Sequence, residues 1–412
     1  MNPAKFIYKC TDCGKEYSNR DTMYLCPLCS KLNNKTTPPK GVLKVVYDYQ
    51  RINKKNTYFD DLKKKAFIDL LPVKNIKSFP NLRIGKTPLY TIDKLNGNRL
   101  PFHVHLKDDS QNPTFSFKDR ASALVSAYAK EKNLETIVTA STGNAGSSLA
   151  GICAAQGQKA IIIVPETAPV AKLTQIIMYG ATVVPVKGTY DEAFDLSVKA
   201  TEKFGWYNRN TAYNPLTIEG KKSVSFELIE QLNFKVPDRI FVSVGDGVII
   251  SGVYKGFEEL LLLNLIDRIP VIVAVQSKGS DNLVRNIYRK DFRIIQSNTI
   301  ADSISVDIPR NFYMVKQFIK KYGGENITVS DKEIYEASAM LSKNTGLFAE
   351  PAAAAAFAGL LSYEKNGKIV DKSTNVILLT GSGLKDIKSV ISMLKIPGSV
   401  HPSIDNLKSI FG

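Results

Sequence analysis

From residue 136 onward, six short apolar runs recur along the chain. They are TIVTA (136–140), AIIIVP (160–165), ATVVPV (181–186), RIFVSVG (239–245), VIVAVQ (271–276) and NVILLTG (375–381). Each is rich in β-branched residues, and most are continuous rather than alternating. A strand without polar alternation is one buried on both faces, as happens when helices cover a parallel sheet. Longer helix-compatible segments lie between the runs. The pattern predicts an α/β protein with open, mostly parallel sheets flanked by helices. At 412 residues the chain is long enough for two medium domains and an appendage. PAAAAAFAG (351–359) reads as a tightly packed helix.

The start of the chain is different in kind. Cys10 and Cys13 form one C-x-x-C knuckle, Cys26 and Cys29 another, with twelve residues between them. Two tight knuckles supply four thiolates to a tetrahedral ion with little chain to order, so residues 1–40 read as a zinc-ribbon-like segment holding structural Zn2+. A ribbon that has lost its metal, or a redox pair, is the other reading. Gly14 stands where the first knuckle would turn, and KLNNKTTPPKG (31–41) reads as a polar linker. Cys153, alone, reads as a buried helix residue. Four clustered cysteines in a chain of this length are not a secreted disulfide framework.

The formal net charge is +16. The lysines are scattered rather than gathered into an arm, and no aromatic-basic pattern accompanies them. The excess therefore points to small anionic ligands and not to nucleic acid. MNPAKFI leads into Cys10 without a long apolar run, and Leu260 to Ile266 is too short to span a bilayer. The expectation is a cytoplasmic chain with no membrane association.

In open α/β sheets, ligands bind beyond the carboxyl ends of strands, often at helix N-termini. Three such loops are rich in small and hydroxyl residues: STGNAGSS (141–148), GDGVIISG (245–252) and TGSGLKD (380–386). Each offers free backbone N–H groups where a strand hands over to a helix. NPTFSFKDR (112–120) adds Lys118, flanked by Phe115 and Phe117, which could form an apolar wall. Lys118 is either one more solvated cation or a lysine that does covalent chemistry. The latter needs a desolvated site, because the amine must spend time neutral.

NPTFSFKDR, STGNAGSS, YNPLTIEGKK (213–222), VGDGVIISG, FAEPAAAA (348–355) and LLTGSGLKD, in this order, resemble the threonine synthase branch of the fold type II pyridoxal-phosphate enzymes. GVLKVVYDY, IGKTPLY and KDDSQNPT fit the same family, and the likeness covers essentially the whole chain. It implies pyridoxal 5′-phosphate bound covalently to Lys118, which would also shuttle protons. It implies Asn144 beside the cofactor ring and Ser141, Thr142 and Gly143 on the substrate carboxylate. Gly245, Asp246, Gly247, Val248 and Ile249 would wrap the cofactor phosphate, and Thr380 would meet the pyridine nitrogen. A neutral hydroxyl there favours elimination and replacement over transamination. Glu350 would either buttress the cofactor or stand exposed at a helix start.

The resemblance also implies a large domain of residues 41–124 plus 221–412, a small domain of 125–220 between, and a small anionic amino-acid substrate. Homodimers are common in such enzymes, so a homodimer is the assembly to test for. The implied reaction converts O-phosphohomoserine and water to L-threonine and phosphate. The sequence departs from the family pattern in four places. NPLT replaces NPYR, GDGVI replaces GNAGN, and Phe115 and Ala121 stand where glycines are usual. The first two changes remove donors that could face a substrate phosphate. Lys221, Lys222, Thr217 and Arg310 are the residues that could compensate. The alternatives are a phosphoserine-and-sulfite replacement at Cβ, a serine or threonine dehydratase, and a degenerate fold without activity.

Overall fold

The structure, a computed structural model, describes residues 4–19, 23–55, 58–391 and 394–411. The first sheet is antiparallel. Its central strand, β1 (Phe6–Cys10), pairs with β2 (Glu16–Ser18) on one side and β3 (Leu43–Tyr47) on the other. The sheet therefore runs past residue 40. Tyr8, Val45 and Tyr47 are buried beneath it. Tyr24 ties this segment to the body: its ring stacks on Tyr213 at 4.6 Å, and its hydroxyl accepts the Asn208 N–H at 2.9 Å.

Two short helices, α1 (Tyr49–Lys55) and α2 (Phe59–Lys64), follow. Then comes a hairpin of β4 (Leu89–Leu95) and β5 (Asn98–Asp108). Its two-residue turn, Asn96-Gly97, has φ of 50° and 82°, the left-handed pair that suits the twist of a tight hairpin. α3 (Lys118–Glu131) starts ten residues after β5 ends and is almost wholly buried.

The next stretch alternates strictly: β6 (Thr136–Ala140), α4 (Asn144–Gln156), β7 (Lys159–Pro165), α5 (Val170–Met178), β8 (Thr182–Val186), α6 (Tyr190–Phe204) and β9 (Tyr207–Asn208). Its strands form a parallel sheet in the order β8-β7-β6-β9. After α7 (Leu216–Lys221) and α8 (Ser223–Gln231) the chain builds the remaining sheet. Its parts are β10 (Arg239–Ser243), α9 (Val248–Leu262), β11 (Val271–Ser277), α10 (Phe312–Tyr322), β12 (Glu325–Val329), α11 (Asp331–Thr345), α12 (Pro351–Lys365) and β13 (Thr374–Leu379). The order is β12-β11-β10-β13-β5-β4, parallel except for the edge strand β4.

All six apolar runs are strands. Ile240, Phe241 and Val242 in β10, and Val376, Ile377 and Leu378 in β13, are fully buried, as strands covered on both faces must be. Small residues let α12 lie close: a Cβ on Gly359 would come within 2.6 Å of Val275. Because β6, β10 and β13 are parallel within their sheets, each carboxyl end delivers a loop to a helix or turn. Among the described residues, no helix is long and apolar enough to cross a membrane.

Candidate active site

Lys118 opens α3 and is partly buried. The turn before it is held from three directions. The Asp119 carboxylate accepts the Thr114 N–H at 2.7 Å and the Thr114 hydroxyl. The Phe117 N–H donates to the Thr380 carbonyl at 2.9 Å, and Ser116 bridges to Gly381 across the end of β13. Beneath, Arg120 grips Asp109 at 2.6 and 3.0 Å and Glu227 at 2.6 and 2.8 Å. The lysine thus sits on a braced support.

Phe117, expected in an apolar wall beside Lys118, is fully buried. The expectation fails for Phe115, which is half exposed. Its φ of 68° lies in the left-handed region, which turns the side chain outward. A glycine would take this conformation without cost, so the usual glycine of the family pattern has a backbone reason.

The three strand-end loops meet around Lys118. A cavity of about 40 Å³ is lined by Lys118, Asn144, Thr211, Gly245–Ile250, Glu350 and Thr380, among others. It shares Asn144, Ser303 and Glu350 with a neighbouring cavity of about 260 Å³, which Thr142, Gly143 and Lys385 also line. Asn144 is the first residue of α4, and Thr380 follows β13 directly. Ser141 is held within its loop, its hydroxyl accepting the Gly143 N–H at 3.3 Å.

The 245–249 loop is shaped for close approach. A Cβ on Gly245 would lie 2.9 Å from the Ile304 backbone, and one on Gly247 would lie 2.6 Å from Val315. Gly247 has φ of 84° and directly precedes α9, whose first N–H groups lack helical partners. The Asp246 carboxylate is turned to Arg310: it accepts the Arg310 backbone N–H at 3.1 Å and lies 3.8 Å from the guanidinium. Backbone donors thereby face the cavity at the positive end of a helix, which suits a phosphate.

Glu350 is buried at the start of α12. Both of its oxygens accept from the Asn144 amide nitrogen, at 2.9 and 3.0 Å, and that nitrogen also donates to the Ser303 hydroxyl at 3.4 Å. Burial pushes its carboxyl up to about 7, although that amide and the cations Lys385 and Lys118 oppose the shift. Burial, with Arg209 nearby, brings the Lys118 amine down to about 8, against Asp246 and Glu350. An amine at that level is neutral part of the time at physiological pH, which a nucleophilic lysine needs.

Of the four residues that could compensate for the missing donors, three are engaged elsewhere. Lys222 is fully buried between Glu219 at 2.7 Å and Glu259 at 2.8 Å. Arg310 pairs with Asp191 at 2.6 Å and lies over the Phe194 ring at 4.2 Å. The Thr217 hydroxyl donates to the Asn214 carbonyl at 2.7 Å. Lys221 is the exception.

Arg209 belongs to the same region but was not singled out by sequence. It follows β9 and is completely buried. Its Nε donates to the Ser122 hydroxyl at 3.2 Å and its Nη1 to the Thr211 hydroxyl at 3.3 Å. Its sequence signal is slight: an arginine between two asparagines, two residues after the aromatic Tyr207.

Pyridoxal phosphate can be tested against this donor set. Ser243 at the end of β10 has a buried hydroxyl without a partner among the described residues, and it lines the Lys118 cavity. A desolvated amine, an amide, a hydroxyl at Thr380 and a glycine-lined phosphate cradle converge there. The residues fit the group.

Away from this site, the four cysteine sulfurs lie within 4.8 Å of one another. Cys10 to Cys29 and Cys13 to Cys26 are both 3.8 Å. A tetrahedron with metal–sulfur bonds of about 2.3 Å has edges of about 3.8 Å. Gly14 turns with φ of 73°, as the knuckle requires. Cys153 is buried in α4.

Comparison with known proteins places residues 81–381 in a match to the family described as pyridoxal-phosphate dependent enzyme. The chain is 34% identical to the threonine synthase of Methanocaldococcus jannaschii, over 98% of this chain and 99% of that one. It is also 34% identical to the threonine synthase of Methanosarcina acetivorans, over 98% of each. Among solved structures, the processed threonine deaminase isoform 2 of Solanum lycopersicum matches with a TM-score of 0.66 at 22% identity. That match spans 81% of this chain and 89% of the other, and it bears on the fold alone.

Proposed function

The chain belongs to the pyridoxal-phosphate-dependent enzymes of the threonine synthase family, and from that premise we propose that it converts O-phospho-L-homoserine and water to L-threonine and phosphate. The observation that carries the reading is Lys118. It is a partly buried amine, lowered to about 8 chiefly by desolvation, at the meeting point of three strand-end loops.

Pyridoxal phosphate, when bound, supplies the electron sink that lets protons leave Cα and Cβ of an amino acid and a group leave from Cγ. Lys118 holds the cofactor and moves the protons at Cα and Cβ; its depressed basicity lets it accept and return them near neutral pH. Backbone N–H groups of Gly245, Asp246, Gly247, Val248 and Ile249 hold the cofactor phosphate. Asn144 would hold the ring oxygen, with Glu350 fixing the amide, and Thr380 would give the pyridine nitrogen a neutral partner. Ser141, Thr142 and Gly143 receive the substrate carboxylate. Burial around the cavity excludes bulk water.

In this reading residues 1–40 form a structural zinc ribbon through Cys10, Cys13, Cys26 and Cys29. Residues 125–220 move as a small domain against 41–124 plus 221–412. The protein works in the cytoplasm, as a homodimer, on a small anionic amino acid. The test is phosphate release with identification of the amino acid formed. O-phosphohomoserine is supplied in one assay and O-phosphoserine with sulfite in another. The reading expects threonine from the first alone and at least about a thousandfold loss in Lys118→Ala. Turnover only in the second assay would refute it.

A further inference from the structure

Two buried basic side chains near Lys118 make no ion pair among the described residues. Arg209 is fully buried and its Nη2 has no partner among the described residues. Its Nε and Nη1 meet the neutral hydroxyls of Ser122 and Thr211. Lys221 is fully buried too, and its amine donates to one neutral group, the Thr217 carbonyl, at 3.1 Å. Neither makes an ion pair among the described residues. The contrast with adjacent Lys222, held by two carboxylates, is sharp.

The two cations and Lys118 are close enough to feel one another. Burial first, then Lys118 and Arg209, pushes the Lys221 amine well below its ordinary value; Asp246 opposes this weakly. Burial brings Arg209 down to about 10 even with Tyr190 and Asp119 nearby. Charging a buried base that lacks a partner is costly, so an anion arriving from outside would supply the counter-charge that both groups lack.

We propose that Arg209 and Lys221 form the subsite for the phosphate of the substrate, replacing the arginine and asparagine that this chain lacks in NPLT and GDGVI. The proposal rests on the threonine-synthase reading above. The cofactor phosphate has its own cradle in the 245–249 loop, so a second phosphate needs separate donors. Thr211 links the two places, since it lines the Lys118 cavity and accepts from Arg209. Lys221 lies four residues after Thr217 on α7, and its amine reaches back to the Thr217 carbonyl. The basic residue of the family pattern has moved one helical turn along the chain.

Inorganic phosphate, a product of the reaction, is the probe. It is titrated calorimetrically into holoenzyme of the wild type, Arg209→Gln, Arg209→Lys and Lys221→Met. Bound pyridoxal phosphate per chain is measured in parallel, with KM and kcat for O-phosphohomoserine. The proposal expects phosphate binding weakened about tenfold or more in the Gln and Met variants, with KM raised in step and cofactor content unchanged. Arg209→Lys keeps the charge and should bind phosphate better than Arg209→Gln. Unchanged phosphate affinity in both neutral variants would overturn it, as would loss of cofactor with phosphate affinity intact, which would assign the cations to the cofactor. A wild type that binds phosphate through these residues but makes no threonine loses the functional reading and keeps the subsite. A wild type that makes threonine with phosphate binding indifferent to both residues keeps the reading and loses the subsite.

Discussion

Lys222→Met should damage the fold and spare the phosphate subsite. Lys222 is one of four fully buried charges, with Glu219, Lys255 and Glu259. Its amine lies 2.7 Å from Glu219 and 2.8 Å from Glu259, and Lys255 is 2.8 Å from Glu219 and paired with Glu259. Tyr47 of β3 donates to Glu219 at 2.8 Å, and its ring lies 4.4 Å from the Lys222 amine. Two cations balance two anions. Removing one leaves an excess carboxylate without water to solvate it. Breaking such a buried pair costs about 3–5 kcal/mol. With an unfolding entropy of about 2.1 cal/mol/K per residue, a chain of this length loses about 1 °C per kcal/mol, so melting should fall by about 3–6 °C. The assay is thermal melting of the holoenzyme by circular dichroism, with calorimetric phosphate titration beside it. Phosphate affinity should stay within about threefold of wild type. Adding Glu219→Gln restores the charge balance and should recover at least half of the lost stability. An unchanged melting temperature, or a tenfold loss of phosphate binding in Lys222→Met, would refute the division of labour between the two adjacent lysines.

Three further outcomes are expected. Purified protein should carry about one zinc per chain by mass spectrometry, and Cys13→Ser should lower that content and the melting temperature together. Glu350→Gln should stabilise the apoprotein relative to wild type as pH rises. The Glu350 carboxyl is raised to about 7 from 4.5, so its stabilisation is full below about pH 4.5 and is lost as pH rises through about 7. That loss is on the order of 3 kcal/mol, and melts at pH 5 and pH 8 would show it; parallel shifts of both proteins would contradict it. Phe115→Gly should be tolerated, because glycine relieves the left-handed strain. Phe115→Val should be less stable than the glycine variant by about 1–2 kcal/mol in urea unfolding.

The parts that sequence revealed are those where burial leaves a compositional mark. Strands covered on both faces lose their polar alternation, so β6, β7, β8, β10, β11 and β13 were readable as continuous runs. The two knuckles were readable because tetrahedral geometry dictates their spacing. The β4–β5 hairpin went unread since it alternates and carries His103, His105 and Lys107, although Asn96-Gly97 was a turn signal of known meaning. The phosphate cations were hidden for a different reason. Successive residues on a helix point about 100° apart, so Lys221 and Lys222 look equivalent in sequence and face different surroundings. One meets two carboxylates, and the other meets a single carbonyl beside Lys118 and Arg209. Only packing decides which lysine of such a pair is neutralised by the protein and which is left for a ligand. The same holds for Arg209, whose sequence neighbours are two asparagines and whose electrostatic neighbours come from α6, α3 and α7. A buried base without an acidic partner is a property of the assembled fold, and the proposed phosphate subsite rests on it.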